Sequence, residues 1–140
     1  MHIERVTGVD DGLVAAVAKL IPQLNPRSPV PTRDDLALMV ASPGTHLLLA
    51  RDPDIIGTLT LTVFRTLVGV QARINTVVVD AGARGRGIGE ALTREAVRIS
   101  SAAGVRRITL SSRRERAAAH RMYCRVGFEP TPNETFHMLL

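Results

Sequence analysis

The residues Val77-Val78-Val79-Asp80-Ala81-Gly82-Ala83-Arg84-Gly85-Arg86-Gly87-Ile88-Gly89-Glu90-Ala91-Leu92 leave few folds open to this chain. A β-branched apolar run passes through a turn and three alternating glycines into an amphipathic repeat. That is a strand, a bare-backbone loop and a helix N-terminus in direct succession. Glycines at 85, 87 and 89 remove the Cβ atoms that would keep an anion away from the loop amides. The unpaired N–H groups of the first helical turn, at the positive end of the helix dipole, make a site for phosphate. Arg84 and Arg86 add charge at its rim.

Three phosphate-binding patterns compete for this stretch. A P-loop needs Gly-Lys-Ser/Thr after the glycines, where this chain has Gly89-Glu90-Ala91. A dinucleotide fingerprint needs G-x-G-x-x-G and an acid about 20 residues later, but Val105 to Leu110 offers only Arg106 and Arg107 as charged residues. The third pattern, Arg-x-x-Gly-x-Gly, is met by Arg84, Gly87 and Gly89. At this point the chain resembles the GNAT-type N-acetyltransferases, whose signature loop holds the pyrophosphate of acetyl-CoA. A second block supports the resemblance. Ile108-Thr109-Leu110-Ser111-Ser112 reads as a short buried strand, followed by a helix from about Arg114 to Arg125 with Ala117-Ala118-Ala119 and Tyr123. Gly127 is its left-handed cap and Phe128 follows. The similarity extends over about Ile74 to Phe128.

Charge narrows the ligand class. From Arg84 to Arg125 there are eleven arginines against Glu90, Glu95 and Glu115, so this half is strongly basic and the remainder mildly acidic within a net charge of +5. Such asymmetry suits a polyanion bound on one side. Coenzyme A and nucleic acid both qualify. RNA and single-stranded DNA readers stack bases on aromatic rings, and this chain has only Phe64, Tyr123, Phe128 and Phe136; no helix-turn-helix or zinc spacing appears. No apolar run approaches the 18 residues of a membrane span. Met1-His2-Ile3-Glu4-Arg5 lacks the pattern of a signal peptide, and a lone Cys124 fits a reducing compartment, so the cytoplasm is the expected location. Cys124 reads as a helix-packing residue.

Along the chain, His2 to Val6 is a candidate strand. Asp10 or Asp11 caps a helix over Leu13 to Leu20 that stops at Ile21-Pro22, and four prolines make Pro22 to Pro31 a loop. Thr32-Arg33-Asp34-Asp35 caps a second helix to about Ala41. Strands follow at His46 to Ala50, Ile55 to Phe64 and Val70 to Val79, and a last one at about Glu134 to Leu140. In the Ile55 strand Thr58, Thr60 and Thr62 face one way and Leu59, Leu61 and Val63 the other. The resulting order is β-α-α-β-β-β-α-β-α-β. The resemblance implies an α/β (mixed α+β) GNAT domain over residues 1–140, with a mixed six- to seven-stranded sheet flanked by about four helices.

It also implies a chemistry. The fourth and fifth strands splay apart near Val78 and Ser111. The free backbone of Val77, Val78 and Val79 then pairs with the pantetheine arm of acetyl-CoA like an added strand, and Arg84, Gly85, Arg86, Gly87, Ile88, Gly89 and Glu90 receive the pyrophosphate. Ser112 and Arg116 flank the arm on the other side, with Arg113 and Arg114 near them. An amine attacks the thioester directly, a backbone N–H at or next to Val78 meets the developing oxyanion, and Tyr123 stands at the general-acid position for the leaving thiolate. The acceptor is an amine on a small molecule or a protein, and relatives dimerise through their last strands. Where many relatives carry an acid before the Val run, this chain has Asn75 and Thr76. Water, His46, His120 or His137 then remains to take the proton, with His2 the least suited. Two other readings stay open: a non-catalytic acyl-CoA-binding or regulatory domain, and an acetyltransferase acting on charged tRNA. The acceptor side is expected along Pro22 to Arg33, Phe64 to Gly69 and Pro130 to His137.

Overall fold

A computed structural model describes all 140 residues, Met1–Leu140. Strand β1 (His2–Arg5) leads to helix α1 (Asp11–Leu24) and helix α2 (Arg33–Ala41). The chain then forms β2 (Thr45–Arg51), β3 (Ile55–Thr66) and β4 (Gly69–Val79), makes a single 3-10 turn at Ala81–Ala83, and enters α3 (Ile88–Ala102). Strand β5 (Arg107–Thr109) and helix α4 (Ala117–Val126) complete the regular structure. The five strands form one sheet in sequence order, antiparallel from β1 to β4 and parallel between β4 and β5.

Alternation along the strands sorts the core into two layers. Leu47 and Leu49 of β2 pack with Leu13, Val17 and Leu36 of α1 and α2 on one face. Leu48, Ala50, Leu59, Leu61, Ala72 and Ile74 pack with Ile88, Leu92 and Ala96 of α3 on the other. The threonines of β3 take the opposite face from Leu59 and Leu61, as their alternation predicts, and buried Thr58 donates its hydroxyl proton to the Leu48 carbonyl at 3.0 Å. Both helix starts read from sequence are present. Asp10 Oδ1 accepts from the Leu13 amide at 2.8 Å. Thr32 and Asp35 form a reciprocal capping box, with bonds of 3.1 and 2.8 Å.

Five expectations need correction. The sheet has five strands rather than six or seven. The segment from Glu134 to Leu140 is exposed throughout and forms no strand: Phe136, Met138, Leu139 and Leu140 bury almost none of their apolar surface, so nothing offsets the entropy cost of ordering the segment. Helix α1 does not stop at Pro22 but runs to Leu24. Proline costs a helix the bond to the carbonyl four residues back. Here the last turn is held from outside, as the Gln23 and Leu24 contacts described below make plain, and the Asn25 amide closes onto the Ile21 carbonyl at 3.1 Å. Finally, α4 begins at Ala117 rather than Arg114, and β5 ends at Thr109 rather than Ser112.

Candidate active site

The site begins with an irregularity in β4. Thr60 pairs with Asn75 and Thr58 with Val78, so Thr76 and Val77 together oppose Leu59. This is a β-bulge, one residue too many on one strand. Thr76 takes φ +54, the sole non-glycine residue of the chain with a positive φ. A β-branched residue is strained there. The extra residue also reverses the alternation: Ala72 and Ile74 face α3 before the bulge, and Val77 and Val79 face it after. Val78 is left buried at 4% exposure outside that cluster.

On its other side β4 has a neighbour only ahead of the bulge. Its pairing with β5 covers Gln71, Ala72 and Arg73 against Arg107, Ile108 and Thr109, and stops there. At the mouth of the gap Arg73 Nη2 donates to Ser111 Oγ at 3.1 Å. Ser111 is exposed and Ser112 half-buried. Near Val78 and Ser111, where the strands are expected to part, no β4–β5 pair forms, and the edge of Val77–Val79 on that side pairs with no strand.

The glycine loop follows. The Asp80 amide donates to the Ile56 carbonyl at 2.8 Å, and the Ala83 amide closes the 3-10 turn onto the Asp80 carbonyl at 2.8 Å. Gly85 and Gly87 have φ +78 and +76, and a Cβ at either would meet nothing within 4 Å. The space over the loop is therefore open, and glycine is required there by backbone conformation rather than by crowding. Gly87 caps α3, and the first intrahelical bond runs from the Ala91 amide to the Gly87 carbonyl at 3.0 Å. The amides of Ile88, Gly89 and Glu90 precede it and have no partner within the helix. An anion over this loop would meet those donors and the positive end of α3.

The charged groups at the rim are already engaged. Arg84 Nε donates to the Val79 carbonyl at 3.2 Å, and Arg86 Nη2 to Asp52 Oδ2 at 2.6 Å in the β2–β3 turn. Glu90 gives its carboxylate to Arg94 at 3.1 Å and Arg125 at 3.0 Å, which ties α3 to α4. Those hydrogen bonds, Arg94's first and then Arg125's, hold the Glu90 carboxyl below its ordinary range. Asp80, absent from the sequence-based site, is bound by Gln23 of α1. Gln23 Nε2 donates to Asp80 Oδ1 at 2.9 Å, and Gln23 Oε1 accepts from the Ala81 amide at 2.8 Å.

Tyr123 lies half-buried near the end of α4, its ring edge-on to Phe128 with centroids 6.0 Å apart. Its carbonyl accepts from Gly127 N at 3.1 Å and Phe128 N at 3.0 Å, the cap that Gly127 with φ +122 makes possible. Burial pushes the phenol above its ordinary value of 10.0, and the nearby Arg116 charge opposes this in part. The hydroxyl therefore carries its proton throughout the neutral range. Arg116 precedes α4 and donates to the Leu24 carbonyl at 3.3 Å.

The histidines are scattered. His46 lies on β2, two strands from β4, with Nδ1 buried and unpartnered; burial and the Arg5 charge lower its pKa. His120 of α4 has a buried, unpartnered Nε2 and lines an open concavity of about 580 Å³ with Arg121, Cys124 and Arg125. His2 bonds Glu4 at 3.4 Å, and His137 is exposed. Asn75 and Thr76 leave the bulge without a titrating side chain. Of the three segments expected to wall the acceptor side, the β3–β4 turn exposes Leu67 and Val68, and residues 131–140 are wholly exposed.

The family model described as Acetyltransferase (GNAT) family matches residues 15–128. Among solved structures, a protein of Agrobacterium tumefaciens str. C58 described provisionally as an acetyltransferase superposes with a TM-score of 0.82 at 26% identity, covering 100% of this chain and 99% of that one. An acetyltransferase of Trypanosoma brucei gives 0.81 at 21% identity, covering 99% of each chain. An aminoglycoside acetyltransferase from an uncultured soil metagenomic sample, in complex with trehalose, gives 0.84 at 17% identity, covering 99% of this chain and 96% of that one. No curated protein sequence matches the chain.

Proposed function

The chain belongs to the acetyltransferase (GNAT) family, and from that membership we propose that it is an acetyl-CoA-dependent N-acetyltransferase acting on a primary amine. One observation carries the reading: the free edge of β4 leads directly into a glycine loop with open space at Gly85 and Gly87, just before the N-terminus of α3. When bound, acetyl-CoA supplies an acetyl group already activated as a thioester. The amides of Ile88, Gly89 and Glu90, with the bare backbone of Gly85 and Gly87, hold the diphosphate. Arg84 and Arg86 edge it, Arg86 exchanging Asp52 for phosphate. The backbone of Val77, Val78 and Val79 pairs with the amides of the pantetheine arm, and Ser112 and Arg116 stand across the gap. Holding two substrates in line supplies much of the rate. An amide at or next to Val78 meets the charge that develops on the carbonyl oxygen. Tyr123 Oη gives its proton to the departing sulfur, a role its raised pKa supports.

Titration of acetyl-CoA into wild type and Gly87→Glu, with free thiol followed in the same samples, tests this. A glutamate at φ +76 is strained and puts a carboxylate over the loop. Micromolar binding by wild type, lost in the variant, is the expected result; no binding by wild type would sink the proposal. The absence of a titrating side chain at Asn75 and Thr76 favours one alternative, an acyl-CoA-binding domain that does not turn over. Thiol release that stays at the background rate with every amine offered would select it.

A further inference from the structure

The glycine loop is held from a distance, by the last turn of α1. Gln23 donates from Nε2 to Asp80 Oδ1 at 2.9 Å and to the Lys19 carbonyl at 3.2 Å, and accepts at Oε1 from the Ala81 amide at 2.8 Å. A carboxylate can only accept and a backbone amide can only donate, so the orientation of the carboxamide is fixed: flipped, it would lose both bonds. Lys19 Nζ stands 3.6 Å from the same Asp80 oxygen. One residue further, the Leu24 carbonyl accepts from Arg116 at 3.3 Å. The end of α1 thus touches both walls of the gap, the turn that leads from β4 into the glycine loop and the residue that opens α4.

Asp80 poses a problem that this arrangement solves. A carboxylate at the entrance to a loop that receives a diphosphate repels its ligand. Gln23 and Lys19 draw it toward α1 instead, and the carboxyl stays ionised, held below its ordinary range first by the Gln23 hydrogen bond. The Ala81 amide, fixed by the same side chain, sets where the 3-10 turn starts and so where Gly85 and Gly87 lie.

We propose that Gln23 is a positioning residue for the coenzyme: through its paired bonds to Asp80 and Ala81 it fixes the glycine loop in the form that receives the diphosphate. The proposal rests on the acetyl-CoA reading above and adds a residue outside the loop to it. Because α1 runs on into Asn25–Pro31, the same brace links the acceptor side to the coenzyme side.

The test compares wild type, Gln23→Ala, Gln23→Glu and the double variant Gln23→Glu with Asp80→Asn. The double variant exchanges donor and acceptor across the contact and leaves net charge unchanged. Its carboxamide at position 80 donates to the carboxylate at position 23, which still accepts from the Ala81 amide. Acetyl-CoA affinity is measured by titration, pantetheine affinity by competition, the Ala81 amide by hydrogen exchange without ligand, and folding by melting temperature. Gln23→Ala is expected to weaken acetyl-CoA about tenfold, which is about 1.4 kcal/mol, to leave pantetheine unchanged and to expose the Ala81 amide. Gln23→Glu, which sets two carboxylates against each other, weakens acetyl-CoA further, and the double variant returns to within about threefold of wild type. Equal loss for pantetheine, which lacks the diphosphate, would assign Gln23 a merely structural role and overturn the proposal. So would wild-type affinity in Gln23→Ala, or a folded double variant that stays weak. Wild type that binds no acetyl-CoA, with the Ala81 amide still protected by Gln23, would retire the coenzyme reading and this role with it.

Discussion

One methyl group added at Gly57 of β3 measures how tightly helix α3 packs on the sheet. A Cβ at Gly57 would lie 3.2 Å from Ile88 Cγ2, 3.3 Å from Leu92 Cδ1 and 3.3 Å from the Val78 carbonyl oxygen. Ile88 and Leu92 are 2% and 0% exposed, so neither has free space to retreat into, and the carbonyl belongs to a paired strand. Overpacking of this kind costs about 1–3 kcal/mol. Replacing glycine by alanine returns about 0.4–1 kcal/mol by restricting the unfolded chain. The difference spans about 0–2.6 kcal/mol, and with two buried side chains and a carbonyl in the way Gly57→Ala should lose roughly 1–2 kcal/mol net. With a urea slope of about 2 kcal/mol/M, the unfolding midpoint falls by about 0.5–1 M. Gly12→Ala supplies the opposite case with the same methyl group. Gly12 is exposed in the first turn of α1, where a Cβ would come no closer than 3.4 Å to Asp10 Oδ1. Relief of the helical glycine penalty should raise stability there by about 0.5–1 kcal/mol. Because Ile88 opens α3, Gly57→Ala should also weaken acetyl-CoA while Gly12→Ala leaves it alone. A Gly57→Ala midpoint at or above wild type, with Gly12→Ala stabilised as expected, would refute the packing argument.

Other expectations concern the strained and the titrating residues. Tyr123→Phe should keep acetyl-CoA affinity and lower turnover at least about tenfold in a steady-state assay; unchanged turnover would remove Tyr123 from the mechanism. Since the phenol must be protonated to act and burial raises its pKa, loss of turnover through Tyr123 should set in only above its ordinary 10.0. A descending limb below that pH, carried by Tyr123 and absent from Tyr123→Phe, would contradict this assignment. Thr76→Gly should relieve strain of about 1–3 kcal/mol at φ +54 against a glycine entropy cost of about 0.5–1 kcal/mol. A net gain in urea unfolding is expected, and a clear loss would mean that the threonine side chain stabilises the bulge.

What was legible in the sequence is what neighbouring residues decide among themselves. Thr32 and Asp35 announce a helix start because their reciprocal bonds span three residues. The glycine loop is legible for the same reason, since strand, φ requirement and helix amides all lie between Val77 and Ala91. Pro22 reads as a helix stop because a local rule about proline takes no account of the partners that support the turn containing it. Gln23 carries no local mark of its role because Asp80 and Ala81 lie 57 and 58 residues away, and no sequence pattern singles out a glutamine for such contacts. The bulge was hidden too: Asn75-Thr76-Val77-Val78 looks like uninterrupted strand, and only pairing with β3 reveals the surplus residue. The expected last strand differs in the reverse sense: its residues are apolar enough for a strand, but Phe136, Met138, Leu139 and Leu140 find nothing to pack against.

Thr76 also decides which kinds of change β4 can absorb. Val77, Val78 and Val79 stand in the phase they do only because one residue before them is uncounted by the opposing strand. Exchanging one valine for isoleucine alters volume and leaves the phase alone. Deleting Thr76 would make the ladder continuous and turn all three valines over at once, sending Val77 and Val79 away from α3 and Val78 into their place. The strand that borders the gap is thus tolerant of composition and intolerant of length. Comparisons among relatives should find side chains varying across this stretch long before they find a single residue gained or lost.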